Sequence, residues 1–373
     1  MAARVFRGRP GASVSAGAAI SLASALALAL ASTAVPATAA SHPPRVERVS
    51  TATDGTEADG ASTSAVISDD GRHAAFLTRA ENLGCSAGYP CMQVRDLVTG
   101  AVTTVREGGG FWWAAPSISG DGRYVGYSAG SKLPAPYLHD RRTGQSQRIW
   151  PDVPPSGAEL GQVWSLSRHG THIAYMLGNR NGPAFTRYLY VRDTATGTDE
   201  LISGADEPPK AAASLSADGT AVAYMTGFTS DDPADTADVF VVDRATGRKV
   251  QVDTGLGQAR LIQLSDDGRY VVFDAQGGTY VRDLRTGHLH RVADTPAKSA
   301  SRDARYLLLS GADGLRLLDR RTGRSAAVGP AGSEAVPGAV SAKGRAVVFG
   351  SAADDLVPGD TNGASDIFVY RAR

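Results

Sequence analysis

Short apolar runs recur along the chain from about residue 62 onward, each bounded by polar residues and glycine. Tyr270-Val-Val-Phe273 and Ala346-Val-Val-Phe349 are the clearest, and they are apolar on both faces of a strand. Alternation disappears in this way when a strand is buried on both sides. Seven polar turns precede the runs: Ser68-Asp-Asp-Gly71, Ser119-Gly-Asp-Gly122, Ser167-Arg-His-Gly170, Ser216-Ala-Asp-Gly219, Ser265-Asp-Asp-Gly268, Ser301-Arg-Asp-Ala304 and Ser341-Ala-Lys-Gly344. Asp-Gly signals a tight hairpin, because Gly takes positive φ cheaply and Asp tolerates it. The sixth turn lacks its Gly and the seventh its Asp, so these two are expected to be the least regular. Just before each turn stands an apolar residue: Ile67, Ile118, Leu166, Leu215, Leu264, Ala300 or Val340. After each turn comes Phe76, Tyr127, Tyr175, Tyr224, Phe273, Leu309 or Phe349, all at one spacing.

A second signal, Asp-x-x-Thr-Gly, follows six of the seven runs, with its Asp at 96, 140, 193, 243, 283 and 319. It joins a third strand to a fourth, as in Thr279–Arg282 followed by His288–Val292. Four antiparallel strands repeating every 36 to 51 residues make an all-β chain, a seven-bladed β-propeller of four-stranded antiparallel blades. The seventh repeat runs through Asp366-Ile-Phe-Val-Tyr370 without a Thr-Gly turn or a fourth strand. Val46-Glu-Arg-Val-Ser50 has the fourth-strand pattern, so residues 46–50 are expected to close the ring on blade seven and hide two open sheet edges.

The first 39 residues read as a signal peptide. Arg4, Arg7 and Arg9 precede the apolar stretch from Ile20 to Ala31, and Ala37-Thr38-Ala39 is a small-x-small cleavage site. Residues 40–45 form a linker and 46–373 the propeller. The apolar stretch is short and Ala-rich for a membrane span, no Cys for lipidation follows it, and no apolar tail ends the chain, so a secreted protein, extracellular or periplasmic, is expected. Without the leader the formal net charge falls from zero to −3, which offers nucleic acid or an anionic membrane no basic surface. Cys85 and Cys91, the two cysteines, are expected to form a disulfide staple around a small loop, given an oxidising destination.

The Ser-x-Asp-Gly-Arg-Tyr-Val-x-Phe stretches, best in Ser265–Phe273, resemble the TolB-like, WD40-like (PD40) propeller repeats. So do the Val-x-Asp-x-x-Thr-Gly stretches, Leu356-Val-Pro-Gly-Asp-Thr-Asn-Gly363 and Asp366-Ile-Phe-Val369. The resemblance covers nearly all of residues 46–373. It implies a propeller that serves as a binding or scaffolding module of the cell envelope, here without the peptidase domain that some members carry.

Candidate chemistry is sparse. Gly126-Tyr-Ser128-Ala-Gly130 fits G-x-S-x-G, but Ser128 falls in a strand with no helix after it, so a nucleophile elbow is not expected. Asp360, Asn362 and Asp366 offer oxygen ligands suited to Ca²⁺, and Asp231, Asp232, Asp235 and Asp238 form the parallel loop of blade four. Either loop also reads as a polar turn satisfying its own backbone. His288 and His290 share a strand face but are too few for a transition metal. The binding feature is aromatic: Phe111, Trp112 and Trp113 before the innermost strand of blade two, and Trp164 at the start of that of blade three. Arg260 and Lys298 sit in comparable segments of blades five and six and add anion contacts. Aromatics at a channel rim stack on sugars or anchor peptides, or else pack between blades. The expectation is a monomeric, non-catalytic module binding a protein, peptide or glycan there, with no cofactor beyond possible calcium. The alternative is a hydrolase or polysaccharide lyase acting in the channel.

Overall fold

The computed structural model describes residues 45–106, 115–130, 132–179, 186–204, 206–207, 209–227 and 237–372. Residues 1–44, which hold the expected leader and most of the expected linker, lie outside this set. Six four-stranded antiparallel sheets follow one another in chain order, with consecutive strands paired in each. Blade one is typical: Ser62–Ile67 innermost, then His73–Thr78, Cys91–Asp96 and Val102–Arg106. Blade seven is a sheet of Ala346–Ser351, Asp366–Arg371 and, outermost, Arg45–Arg48. Its innermost segment is reduced to the bridge Val340↔Val347. Ring closure is thus as expected, with Val46 opposite Tyr370 and Arg48 opposite Phe368. The strand begins at Arg45, one residue early. Beyond Arg48, the Val49 amide bonds the Ile367 carbonyl at 2.7 Å.

The repeated serine shapes each turn. Its hydroxyl accepts the amide five residues on in all seven blades, at 2.8–3.0 Å. Where Asp lies two residues on, the hydroxyl donates to it, as Ser265 does to Asp267 at 2.6 Å. Both turns expected to be irregular keep the same geometry. The amide of Ala304 bonds the Ser301 carbonyl at 2.8 Å and that of Gly344 the Ser341 carbonyl at 2.9 Å. The serine frame holds Ala304 at φ 55°, a cost of about 1–2 kcal/mol that the glycines avoid.

The two repeated signals are partners across one hairpin. Arg72, Arg123, Arg269 and Arg305, each following a turn, bridge Asp96, Asp140, Asp283 and Asp319 of the Thr-Gly signal at 2.5–2.8 Å. The same aspartate caps its own turn, as Asp96 does by accepting the amides of Val98 and Thr99.

The core lies between blades. Met92 and Val94 of blade one pack with Ile118, Val125 and Tyr127 of blade two, and comparable clusters fill the other joints. The aromatic expected in each second strand is fully buried in six blades, while Leu309 of blade six is half-buried. In four blades it stacks on its third-strand partner, as Tyr127 does on Tyr137 with centroids 5.3 Å apart, and in blade four Tyr224 lies tilted against Phe240.

Each turn glycine is also a joint. A Cβ on Gly122 would strike His73 of blade one, on Gly170 Tyr124 of blade two, on Gly219 His172 of blade three, and on Gly344 Tyr306 of blade six. Gly170→Ala should therefore cost about 2–4 kcal/mol, from positive φ and overpacking together. Gly144→Ala, at φ 72° with nothing nearby, should cost only about 1–2 kcal/mol. Urea unfolding of both variants checks the difference.

The arginine–aspartate pairs set an acid limit. Hydrogen bonds from Arg123 hold the Asp140 carboxyl down at about 2. Those from Arg72, Arg269 and Arg305 hold Asp96, Asp283 and Asp319 well below the usual range. A depressed folded-state value gives stability that is present above the unfolded value near 4 and lost as pH falls. The Tm should drop as pH falls from about 4 to 2, and less steeply in Asp140→Asn. Thermal melts across that range measure both slopes.

Candidate functional site

The innermost strands surround a central cavity of about 280 Å³. Its wall carries Ser117, Ser165 and Ser214, Gln162 and Gln263, and Trp164, with Arg302 among the lining residues. Bulges in the innermost strands, such as Val163/Ser165 in blade three and Leu261/Gln263 in blade five, create this wall. A bulge places two residues opposite one and turns the extra side chain.

The serines have a double task. Ser117 accepts the Leu166 amide of blade three, Ser165 the Leu215 amide of blade four, and Ser214 the Leu264 amide of blade five, at 3.0–3.3 Å. Each bond stitches one blade to the next. With the oxygen so engaged, the hydroxyl proton remains available to an acceptor.

Four charges meet as a plug at the turn end of the innermost strands, with Arg302 of the cavity lining among them. Asp69, Arg168, Asp266 and Arg302 each follow the repeated serine of their blade. Arg168 reaches Asp69 at 3.2 Å and Asp266 at 3.4 Å; Arg302 reaches the same two at 3.3 and 3.9 Å. Arg302 also donates across the axis to the carbonyls of Ile118 and Leu166, at 3.4 Å each. Burial pushes the Asp266 carboxyl up, opposed by Arg302. Sequence reading missed this plug. Lining up the residue after each serine shows the signal: Asp, Gly, Arg, Ala, Asp, Arg, Ala.

The expected rim residues part company. Phe111, Trp112 and Trp113 lie outside the described residues. Trp164 is not at the start of its strand but at the bulge, fifth of seven in Leu160–Leu166, where it lines the cavity and packs on the joint with blade four. Arg260 is not a free anion contact: it bonds Asp274 at 2.6 Å and the Ala297 carbonyl of blade six at 2.7 Å. Lys298 occupies the bulge of blade six, half-buried. Ser128 is buried, its hydroxyl accepting the Val163 amide at 3.0 Å, so it too is a stitch between blades. His288 and His290 stack on each other, 5.7 Å apart and exposed, at the start of the outer strand Leu289–Ala293.

Asp360 and Asp366 do converge, together with Glu57. The cation between them is Arg48, whose guanidinium lies 2.7 Å from Glu57, 3.2 Å from Asp360 and 3.3 Å from Asp366. Ser50 donates to Asp366 at 2.5 Å. Asn362 turns its Nδ2 toward the Ala58 carbonyl and Asp366, and its oxygen accepts the Ala364 amide. Burial pushes the Asp360 and Asp366 carboxyls up, and the guanidinium opposes it. Of blade four's acidic loop, Asp231, Asp232 and Asp235 lie outside the described residues. Cys85 and Cys91 form the expected disulfide.

No family model matches the chain, and no curated protein does. Solved structures do. An oligogalacturonate lyase in complex with manganese superposes with a TM-score of 0.62 at 15% identity, over 90% of this chain and 94% of that one. The oligogalacturonate lyase from Vibrio parahaemolyticus gives 0.60 at 15%, over 88% and 93%. TolB from Acinetobacter baumannii gives 0.47 at 19%, over 71% of this chain and 62% of that one. At such identities the shared property is the fold, and the chain is a seven-bladed propeller.

Proposed function

We propose that this protein is an exported binding module of the envelope or extracellular space. Its site is the central cavity, entered from the end away from the four-charge plug. The leader and the disulfide support export, and no helix among the described residues is long and apolar enough to cross a membrane. The observation that carries the binding reading is the cavity wall. Three serine hydroxyls with engaged oxygens and the side-chain amides of Gln162 and Gln263 make it rich in donors, beside the aromatic face of Trp164. Such a wall suits a segment rich in acceptor oxygens, from a protein, peptide or glycan.

A channel enzyme is the second reading, suggested by the likeness to oligogalacturonate lyases. Among the described lining residues there is no His and no carboxylate, so they offer a metal or an acid–base pair no ligand set. The binding reading is therefore preferred.

Immobilised protein should capture a partner from an envelope extract of its own cells, and Trp164→Ala and Ser165→Val should each weaken capture at least tenfold. Capture unaffected by either change would remove the cavity as the site. A bound transition metal found by elemental analysis would favour the enzyme.

A further inference from the structure

Blades four and seven are the two whose third strand opens with aspartate: Asp238 in Asp238–Asp243 and Asp366 in Asp366–Arg371. Their outermost strands pair in the same register. Gln251 lies opposite Phe240 as Arg48 lies opposite Phe368, so Asp253 stands where blade seven has Ser50. In blade seven the aspartate thus meets a guanidinium and a hydroxyl. In blade four it accepts from the Gln251 amide at 3.0 Å, and its charge acts on a second carboxylate, that of Asp253.

That second carboxylate is poorly provided for. Asp253 is 1% exposed, and neither of its oxygens has a hydrogen-bond partner. Burial pushes its carboxyl up and the Asp238 charge adds to this, against weaker help from the Val239 and Asp253 amides and the Gln251 side chain. Gln251 spends its Nε2 on Asp238, at 3.0 Å. Burying a carboxylate without a cation or a full set of donors is expensive. Blade seven avoids the expense with Arg48; the described residues of blade four show no equivalent cation.

We infer that blade four binds a calcium ion between Asp238 and Asp253, in the place that the Arg48 guanidinium takes in blade seven. The ligands are hard oxygens: two carboxylates and, once the Gln251 amide turns away the Nε2 it now points at Asp238, its side-chain oxygen. Calcium accepts such a set and completes its loose coordination with water. Neither His nor Cys stands among these residues to select a transition metal. The ion would fasten the three-residue outer strand Lys249–Gln251 to the third strand, as Arg48 fastens Arg45–Arg48.

The test is calcium titration of the EDTA-treated protein by calorimetry, with melts in EDTA and in about 1 mM calcium. The wild type should bind one ion and gain several degrees in Tm. Asp253→Asn should lose both the binding and the gain. Gln251→Arg should also lose them, yet melt in EDTA no lower than the wild type, because it carries its own cation. If Asp253→Asn does not fold, Gln251→Arg alone decides. No binding heat in the wild type, with equal Tm in EDTA and calcium, would overturn the inference. So would calcium binding that survives Gln251→Arg unchanged.

Discussion

Each blade buries both faces against its neighbours, so the ring depends on the joint where the chain's beginning meets its end. That joint is a short strand, Arg45–Arg48, on the outer edge of blade seven. Four residues of ladder would hold weakly alone. Arg48 adds a nearly buried guanidinium among three carboxylates from two segments far apart in sequence, Glu57 on one side and Asp360 and Asp366 on the other. Removing the cation from such a cluster leaves buried charge uncompensated, which is far costlier than losing a surface pair. A sheet edge that is also a joint is thereby locked by electrostatics.

Similar economy appears in the repeats. One serine makes each turn, one glycine admits the preceding blade, and one arginine ties two turns of a hairpin together. Ser117, Ser165 and Ser214 then join innermost strands while lining the cavity. Contacts that hold the ring together also line its axis, so the residues of the cavity wall cannot move independently of the blades.

The fold was legible because its determinants are local and periodic. Ser-x-Asp-Gly, the buried aromatic and Asp-x-x-Thr-Gly recur with the blade, and even the missing fourth strand of blade seven could be matched to residues 46–50. The irregularity expected of Ala304 did not arise, since neighbouring blades and Ser301 impose the turn whatever the residue. The site was less legible, because it is assembled across blades. Trp164 was found, but its bulge was not. Arg260 looked free until Asp274, on the next strand of its blade, was seen to bind it. The acidic loop of blade seven looked like a calcium ligand set because the arginine that fills it comes from the opposite end of the chain. Pairings between distant segments leave no periodic trace.

The importance of Arg48 at the closure is tested most directly by hydrogen–deuterium exchange on the wild type and Arg48→Gln. If the guanidinium locks the ring, amides in 45–50 and 366–371 should lose protection first and most, while blades three to five stay protected, and the urea midpoint should fall. Unchanged exchange in both segments, with an unchanged midpoint, would show that the ring closes without it.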